Sequence, residues 1–332
     1  MKRRVIQLGI LTALIALPAL AQLGMFTKDQ LLAITSEWKG ERFPDGRPKV
    51  SDELLDRLAT VDAEEAWGTL RGAGYPLQFE GNFKTVNVKL GGPRMVGRAV
   101  TAVFVPLRKD FNDYINANGK KEGRVSRGQN SWVIDTLVKR DVMVVDLFGK
   151  IEDGTIIGDN LGTSIMTKTG TGLVVDGSIR DVSGNQEIEG FQIFARGFHP
   201  SALRNTTLAG INVPIRIGGV TVLPGDVVVS DPEGVTFIPP QVAEKVANEA
   251  ERTHMVDEWG HKMLRERTYT PGEIDTEWTP KMIEEFNAYC EGKGSKGRLG
   301  AKGKHGDLYI PRDRQAGCGR ATIAGPLREN SR

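Results

Sequence analysis

Cysteine is nearly absent from this chain: Cys290 and Cys318 are the only two in 332 residues. That excludes a disulfide-built scaffold. Histidine is scarce as well, and His199, His254, His261 and His305 lie too far apart for a Cys–His zinc site. Neither sign of charge dominates. A formal net charge of +2 gives no basis for a nucleic-acid or anionic-membrane partner. No glycine-rich nucleotide loop opens the chain between a strand and a helix, and no internal repeat is present. Long hydrophobic runs are also missing, with one exception at the start.

That exception sets the compartment expected for the protein. Lys2-Arg3-Arg4 forms a positive n-region, Val5 to Leu20 is largely apolar and uncharged, and Ala19-Leu20-Ala21 is an A-x-A cleavage site. Residues 1–21 therefore read as a signal peptide, with a mature chain from about Gln22. The run is short for a membrane span and carries Pro18 near its end, so an uncleaved anchor is the lesser alternative. No Cys follows the cleavage site, so a lipoprotein is not indicated. The reading is an exported protein, periplasmic or secreted, without stable membrane association after cleavage. Export permits Cys290 and Cys318 to pair across a loop of about 27 residues, a link contributing roughly 3 kcal/mol. The basic cluster from Lys293 to Lys304 between them is set in Gly and Ser, and reads as a solvated segment.

The mature chain of about 310 residues is long enough for one large domain with extensions. Residues 22–50 read as an N-terminal arm, with turn chemistry at Phe43-Pro44-Asp45-Gly46. From 51 to about 252 helix and strand patterns mix, which gives an α/β or α+β core. Ser51 and Asp52 cap a first helix, Ala63 to Leu70 forms a second, and Val-rich Val96 to Pro106 is a strand. Residues 107–131 are polar and rich in Asn and Gly, and read as a long loop. A strand at Val142–Leu147, a Gly-bearing turn from Gly149 to Gly158 and a helix from Asp159 to Thr169 follow. Further strands at Leu173–Asp176, Gln192–Ala195, Val213–Ile217, Val227–Ser230 and Val235–Ile238 lead to a helix from Pro240 through Arg252. Residues 253–332 read as a C-terminal extension, partly helical and then Gly/Lys-rich. Its Trp259, Met263, Trp278, Met282, Ile283 and Phe286 are expected to pack on a neighbouring subunit; folding back on their own chain is the alternative.

The most informative stretch is Gly172-Leu173-Val174-Val175-Asp176-Gly177-Ser178-Ile179-Arg180-Asp181. An apolar run of buried-strand type stops at a Gly turn, and a guanidinium and a carboxylate follow side by side. Arg grips a carboxylate through two parallel hydrogen bonds, and Asp holds a hard divalent cation through oxygen. The competing reading is a surface ion pair closing a turn, which contributes little.

Three ordered fragments extend this: Gly158-Asp159-Asn160-Leu161, Val175 to Asp181, and Phe194-Ala195-Arg196-Gly197. They continue into Val213 to Val220, Pro224-Gly225-Asp226 and Asp231 to Val235. The series over about residues 55–250 resembles the RraA-like family, which includes class II 4-hydroxy-4-methyl-2-oxoglutarate aldolases that also decarboxylate oxaloacetate. The resemblance implies a compact α/β/β swivelling-domain fold, assembled as trimers or hexamers with the site between subunits. It implies a lyase of EC 4.1 type that uses Mg²⁺ or Mn²⁺ and acts on a small 2-keto acid through a pyruvate enolate. By the same resemblance Arg180 holds the substrate, Asp181 binds the metal, and Asp159 is a second carboxylate at the metal's water shell. The turn Glu152-Asp153-Gly154-Thr155 falls where the family's backbone amides hold the substrate carboxylate. Glu152 and Asp153 bring negative charge to that place, so either their side chains point away or the substrate differs.

The imported roles suit the chemistry, since an enolate oxyanion needs a Lewis acid and a positioned cation. Family members that inhibit ribonuclease E lack the adjacent Arg–Asp pair, which this chain keeps. A non-catalytic ring serving as a binding or scaffold protein is the alternative function. His199 reads as a turn residue before a base, Asp176 as a structural group bonding turn amides, and Asp231 to Val235 as a hairpin turn. Arg196 and Arg216 read as solvated or structural.

Overall fold

The computed structural model describes residues 26–124 and 128–293. The expected signal peptide 1–21, most of the Lys293–Lys304 cluster and Cys318 lie outside them, and so does half of the expected disulfide. The chain begins with helices α1 (Lys28–Ile34), α2 (Asp52–Leu58) and α3 (Ala63–Gly72) and the short strands β1 (Phe79–Glu80) and β2 (Lys84–Val86). Next come β3 (Val96–Pro106), α4 (Lys109–Lys121), α5 (Gln129–Asp135), β4 (Asp141–Thr155), α6 (Asp159–Thr169) and β5 (Gly172–Ile179). They are followed by α7 (Val182–Gln186), β6 (Gln192–Phe198), β7 (Thr206–Ile211), β8 (Ile215–Ile217) and β9 (Val220–Val222). Strands β10 (Val227–Asp231) and β11 (Gly234–Ile238) and helices α8 (Pro240–Arg265), α9 (Pro271–Ile274) and α10 (Pro280–Gly292) complete it.

The sheet runs β1-β11-β10-β3-β4-β5-β6-β2, with β7 also paired to β3. Strands β3 to β6 are parallel, so each crossover carries helices, and the flanking strands are antiparallel. Alternation along β4 decides the layers. Met143, Val145 and Leu147 enter the core under the crossover helices, while Val142 and Val144 meet the β8–β9 hairpin through Ile215, Ile217, Val220 and Val222. Helix, sheet and hairpin layers make this an α/β protein of the expected α/β/β kind.

The long loop expected over 107–131 is largely helix. Of its Asn and Gly residues, Asn118 and Gly119 are buried. A Cβ on Gly119 would collide with the Trp132 ring, so the missing side chain is the socket for that indole. Gln129 donates to both Asn112 and Asn116 at 3.0 Å and accepts from Leu208 N–H at 2.6 Å, which locks α4 and α5 to β7. The turn expected from Gly149 is also different. Strand β4 continues to Thr155 through register shifts after Asp146 and Lys150, with Phe148 at φ 44° and Asp153 at φ 56°.

Residues 26–50 are bolted to the core. Arg47 is 3 % exposed and pairs with the fully buried Asp141 through Nη1–Oδ1 at 2.7 Å and Nη2–Oδ2 at 3.2 Å. At the other end, α8 continues well past Arg252. Its first half packs Ala243, Val246 and Ala250 against α2 and α3. Its second half joins α9 and α10 in a separate core of Trp259, Met263, Trp278, Met282, Phe286 and Cys290. The expected packing of these side chains on a neighbouring subunit is corrected: they bury one another within the chain, with Trp259 and Trp278 rings 4.5 Å apart.

Asp226 carries a pH-dependent cost. Burial pushes its carboxyl from 3.8 up to about 7, although its Oδ2 accepts from Leu223 N–H at 2.8 Å. A raised acid pKa means that the fold favours the protonated form, so its contribution is full below about pH 4 and declines toward pH 7. Asp226→Asn keeps the acceptor. The Tm difference between the variant and wild type should move in the variant's favour from pH 4 to 7 and then level off; a constant difference refutes the assignment.

Candidate active site

The β5 strand delivers Arg180 directly from its C-terminal end, where the Arg180 N–H donates to Ile157 O at 3.0 Å. Asp181 follows in the left-handed region at φ 53° and ψ 48°, as the N-cap residue of α7. A non-glycine residue held there is uncommon, although Asp tolerates it better than most. Its carboxylate makes no capping bond. Its Oδ2 stands 3.5 Å from Arg180 Nη1, and both side chains are more than two-fifths exposed. The sequence-level alternative, an ion pair closing the turn, describes this contact only loosely, because 3.5 Å is too long for a tight charge-assisted bond.

Asp159 arrives from another crossover, as the first residue of α6, and its Oδ1 accepts from Asn160 N–H at 2.8 Å. Two glycines join the segments. A Cβ on Gly158 would strike Asp181 Oδ2 and lie 3.3 Å from Arg180 Nε, while a Cβ on Gly184 would lie 2.8 Å from Asp159 Oδ2. Each segment thus supplies a bare Cα on which the other's carboxylate rests. Asn185 fixes the junction by donating from Nδ2 to Arg180 O and Asp181 O, both at 3.0 Å. Gly158 and Gly184 as positioning residues, and Asn185, carry no sequence signal beyond proximity to charged residues.

Arg180, Asp181 and Asp159 are therefore brought together. In the Glu152–Thr155 segment, Asp153 and Thr155 are held by the loop after β6. Asp153 N–H donates to Ser201 Oγ at 2.7 Å, Asp153 O accepts from Arg204 N–H at 2.9 Å, and the Thr155 hydroxyl bonds Ser201 O. Glu152 is exposed, Gly154 is buried, and Asp153 Oδ2 faces Asn205 Nδ2 at 3.5 Å. Among the described residues no hydrogen bond links this segment to Arg180, Asp181 or Asp159.

Asp176 does not bond turn amides, as the sequence suggested. It is 7 % exposed at its side chain and accepts from Arg196 Nε at 2.7 Å; Arg196 also holds Glu80 at 2.8 Å. Arg196 is structural. Asp231 does cap its hairpin, accepting from Glu233 and Gly234 N–H.

Fold and site together define an α/β protein with a paired Arg–Asp site at the carboxyl ends of parallel strands, where open sheets of this type bind ligands. Residues 49–237 match the RraA-like model described as aldolase/RraA, and the chain belongs to that family. It is 35 % identical over 162 residues to a Halalkalibacterium halodurans protein provisionally named a 4-hydroxy-4-methyl-2-oxoglutarate aldolase, covering 48 % of this chain and 75 % of that one. It is 27 % identical to the Legionella pneumophila protein DlpA, over 62 % of this chain and 30 % of that longer one. Among solved structures it resembles Streptomyces coelicolor RraAS2, described as an unusual member of the RNase ES inhibitor RraA family. There the TM-score is 0.54 at 26 % identity, over 64 % of this chain and 98 % of the other.

Proposed function

We propose that this protein is a divalent-metal-dependent lyase that cleaves or decarboxylates a small 2-keto acid, as class II aldolases and oxaloacetate decarboxylases do. The observation that carries this reading is the interlock of Arg180, Asp181 and Asp159 across Gly158 and Gly184. The donor set fits a hard cation. Asp181 offers a half-exposed carboxylate spent on no cap, Asp159 adjoins α7, and the described residues contain no cluster of three or more His, Cys, Asp or Glu that could form a protein cage. One carboxylate plus water is the habit of Mg²⁺. Asp181 would hold the cation directly and Asp159 its water shell; when bound, it supplies Lewis-acid stabilisation of developing negative charge.

The remaining work falls to the chain itself. Arg180 grips the substrate carboxylate and fixes the keto group in line for bond breaking. We place that carboxylate on Arg180, which lies beside Gly158 at the start of α6. In the 152–155 turn Asp153 N–H is spent on Ser201 Oγ, as Asn160 N–H at the start of α6 is spent on Asp159 Oδ1. Asp159 can take a proton on Oδ2 from water and return it to the product carbon. Export after cleavage of residues 1–21, and a trimer or hexamer with the site between subunits, complete the proposal.

The test is pyruvate release by the purified protein from oxaloacetate and from 4-hydroxy-2-keto diacids. Turnover in Mg²⁺ or Mn²⁺, loss in EDTA and recovery on re-addition are expected; absence of metal-dependent turnover on all of them overturns the reading. The likeness to RraAS2 favours a second reading, a non-catalytic ring that binds or scaffolds a partner. Calorimetry separates the two, because a scaffold of that kind should bind neither Mg²⁺ nor pyruvate.

A further inference from the structure

His199 stands at the end of β6, next to the candidate site. Its N–H donates to Ile179 O at 3.1 Å and continues the Ile179–Phe198 register, so His199 is the cross-strand neighbour of Arg180. The loop that follows is fastened to β4 by Asp153 N–H on Ser201 Oγ and Arg204 N–H on Asp153 O.

These contacts assign the imidazole hydrogen. Ser201 N–H can only donate, and it lies 3.2 Å from His199 Nδ1. Ser201 Oγ stands 2.9 Å from the same nitrogen and already accepts from Asp153 N–H, so its own hydrogen turns to Nδ1. Nδ1 therefore accepts twice, and the ring hydrogen sits on Nε2. Among the described residues that Nε2–H has no hydrogen-bond partner. A fixed tautomer with an unspent donor, half-buried beside Arg180, is more than a turn requires.

We propose that His199 is a specificity-determining residue of this site, donating from Nε2–H to a second anionic group on the ligand whose first carboxylate Arg180 holds. This rests on the keto-acid reading above. The two side chains start from adjacent strands, whose backbones lie about 4.8 Å apart, so each can address its own group. A keto acid with carboxylates at both ends of a four- or five-carbon chain spans that separation, and a keto monoacid does not. His199 thus selects keto diacids, as a donor and not as the proton carrier.

Titration of the full mature chain in Mg²⁺ with 2-oxoglutarate and with 2-oxobutanoate tests this. The two share the keto-acid end and differ in the second carboxylate. His199→Ala should weaken 2-oxoglutarate about tenfold and leave 2-oxobutanoate within about twofold, and His199→Gln, which keeps a terminal N–H, should recover part of the loss. Nitrogen NMR of labelled histidine should place the ring hydrogen on Nε2 in the free protein. Equal weakening of both ligands, no weakening, or a hydrogen on Nδ1 overturns the proposal while the keto-acid reading stands. Binding of neither ligand by the wild type overturns both.

Discussion

Asp181→Asn should lower metal-dependent pyruvate release from oxaloacetate by at least about a hundredfold, and Arg180→Ala should do the same. Asn is the better replacement at 181 because it tolerates the left-handed backbone found there, whereas Ala adds roughly 1–2 kcal/mol of strain unrelated to chemistry. Both side chains are substantially exposed, so thermal stability should stay near wild type, and lost rate can be read as lost chemistry. Gly158→Ala provides an orthogonal check. It removes no charge, but its methyl group occupies the space of Asp181 Oδ2, and it should cut the rate at least about tenfold with the fold intact. Wild-type turnover in the Asp181 or Arg180 variant would place the site elsewhere.

The largest expected effect on stability lies far from that site. Asp141 is fully buried and accepts from both terminal nitrogens of Arg47 and from Val138 N–H at 2.9 Å. Asp141→Ala strands a buried guanidinium, with Arg98 beside it, and should cost about 3–5 kcal/mol. Urea unfolding should show a lowered midpoint with an unchanged slope. Replacing both partners, as Arg47→Met with Asp141→Leu, should recover most of the loss, because it is the unpaired charge that costs. A midpoint as low in the double variant as in Asp141→Ala would mean that the ion pair is not the reason the arm is anchored.

Much of the core was legible because its signals are local. The α6 helix begins at Asp159 and ends at Thr169 as its pattern indicates, and the β5 run places Arg180 and Asp181 at a strand end. Helices α4 and α5 were not legible, since the reason for Gly119 is a ring thirteen positions away. Poor helix formers are tolerated there because tertiary packing outweighs propensity. The anchoring of the arm was not legible for a related reason. Arg47 looks like a solvent-facing residue in a turn-rich stretch, and only the fold brings Asp141 to it. The apolar residues after position 252 read as a set that must be buried, and only the fold shows that Trp259 and Met263 on α8 pack against Trp278, Met282 and Phe286.

The motif series along the sequence carries the resemblance to the family, and the chain alone shows mixed helix and strand patterns and a guanidinium beside a carboxylate after a buried strand, because periodicity and neighbourhood are properties of the chain. The tertiary structure decided which groups complete the site. Asp159 meets Asp181 through two bare glycine positions, His199 lies beside Arg180 with its donor fixed by Ser201, and the Asp153 amide is spent on that same Ser201. Those relations join residues on different crossovers of a parallel sheet, and strand order and register, set by burial on both faces, bring them within contact.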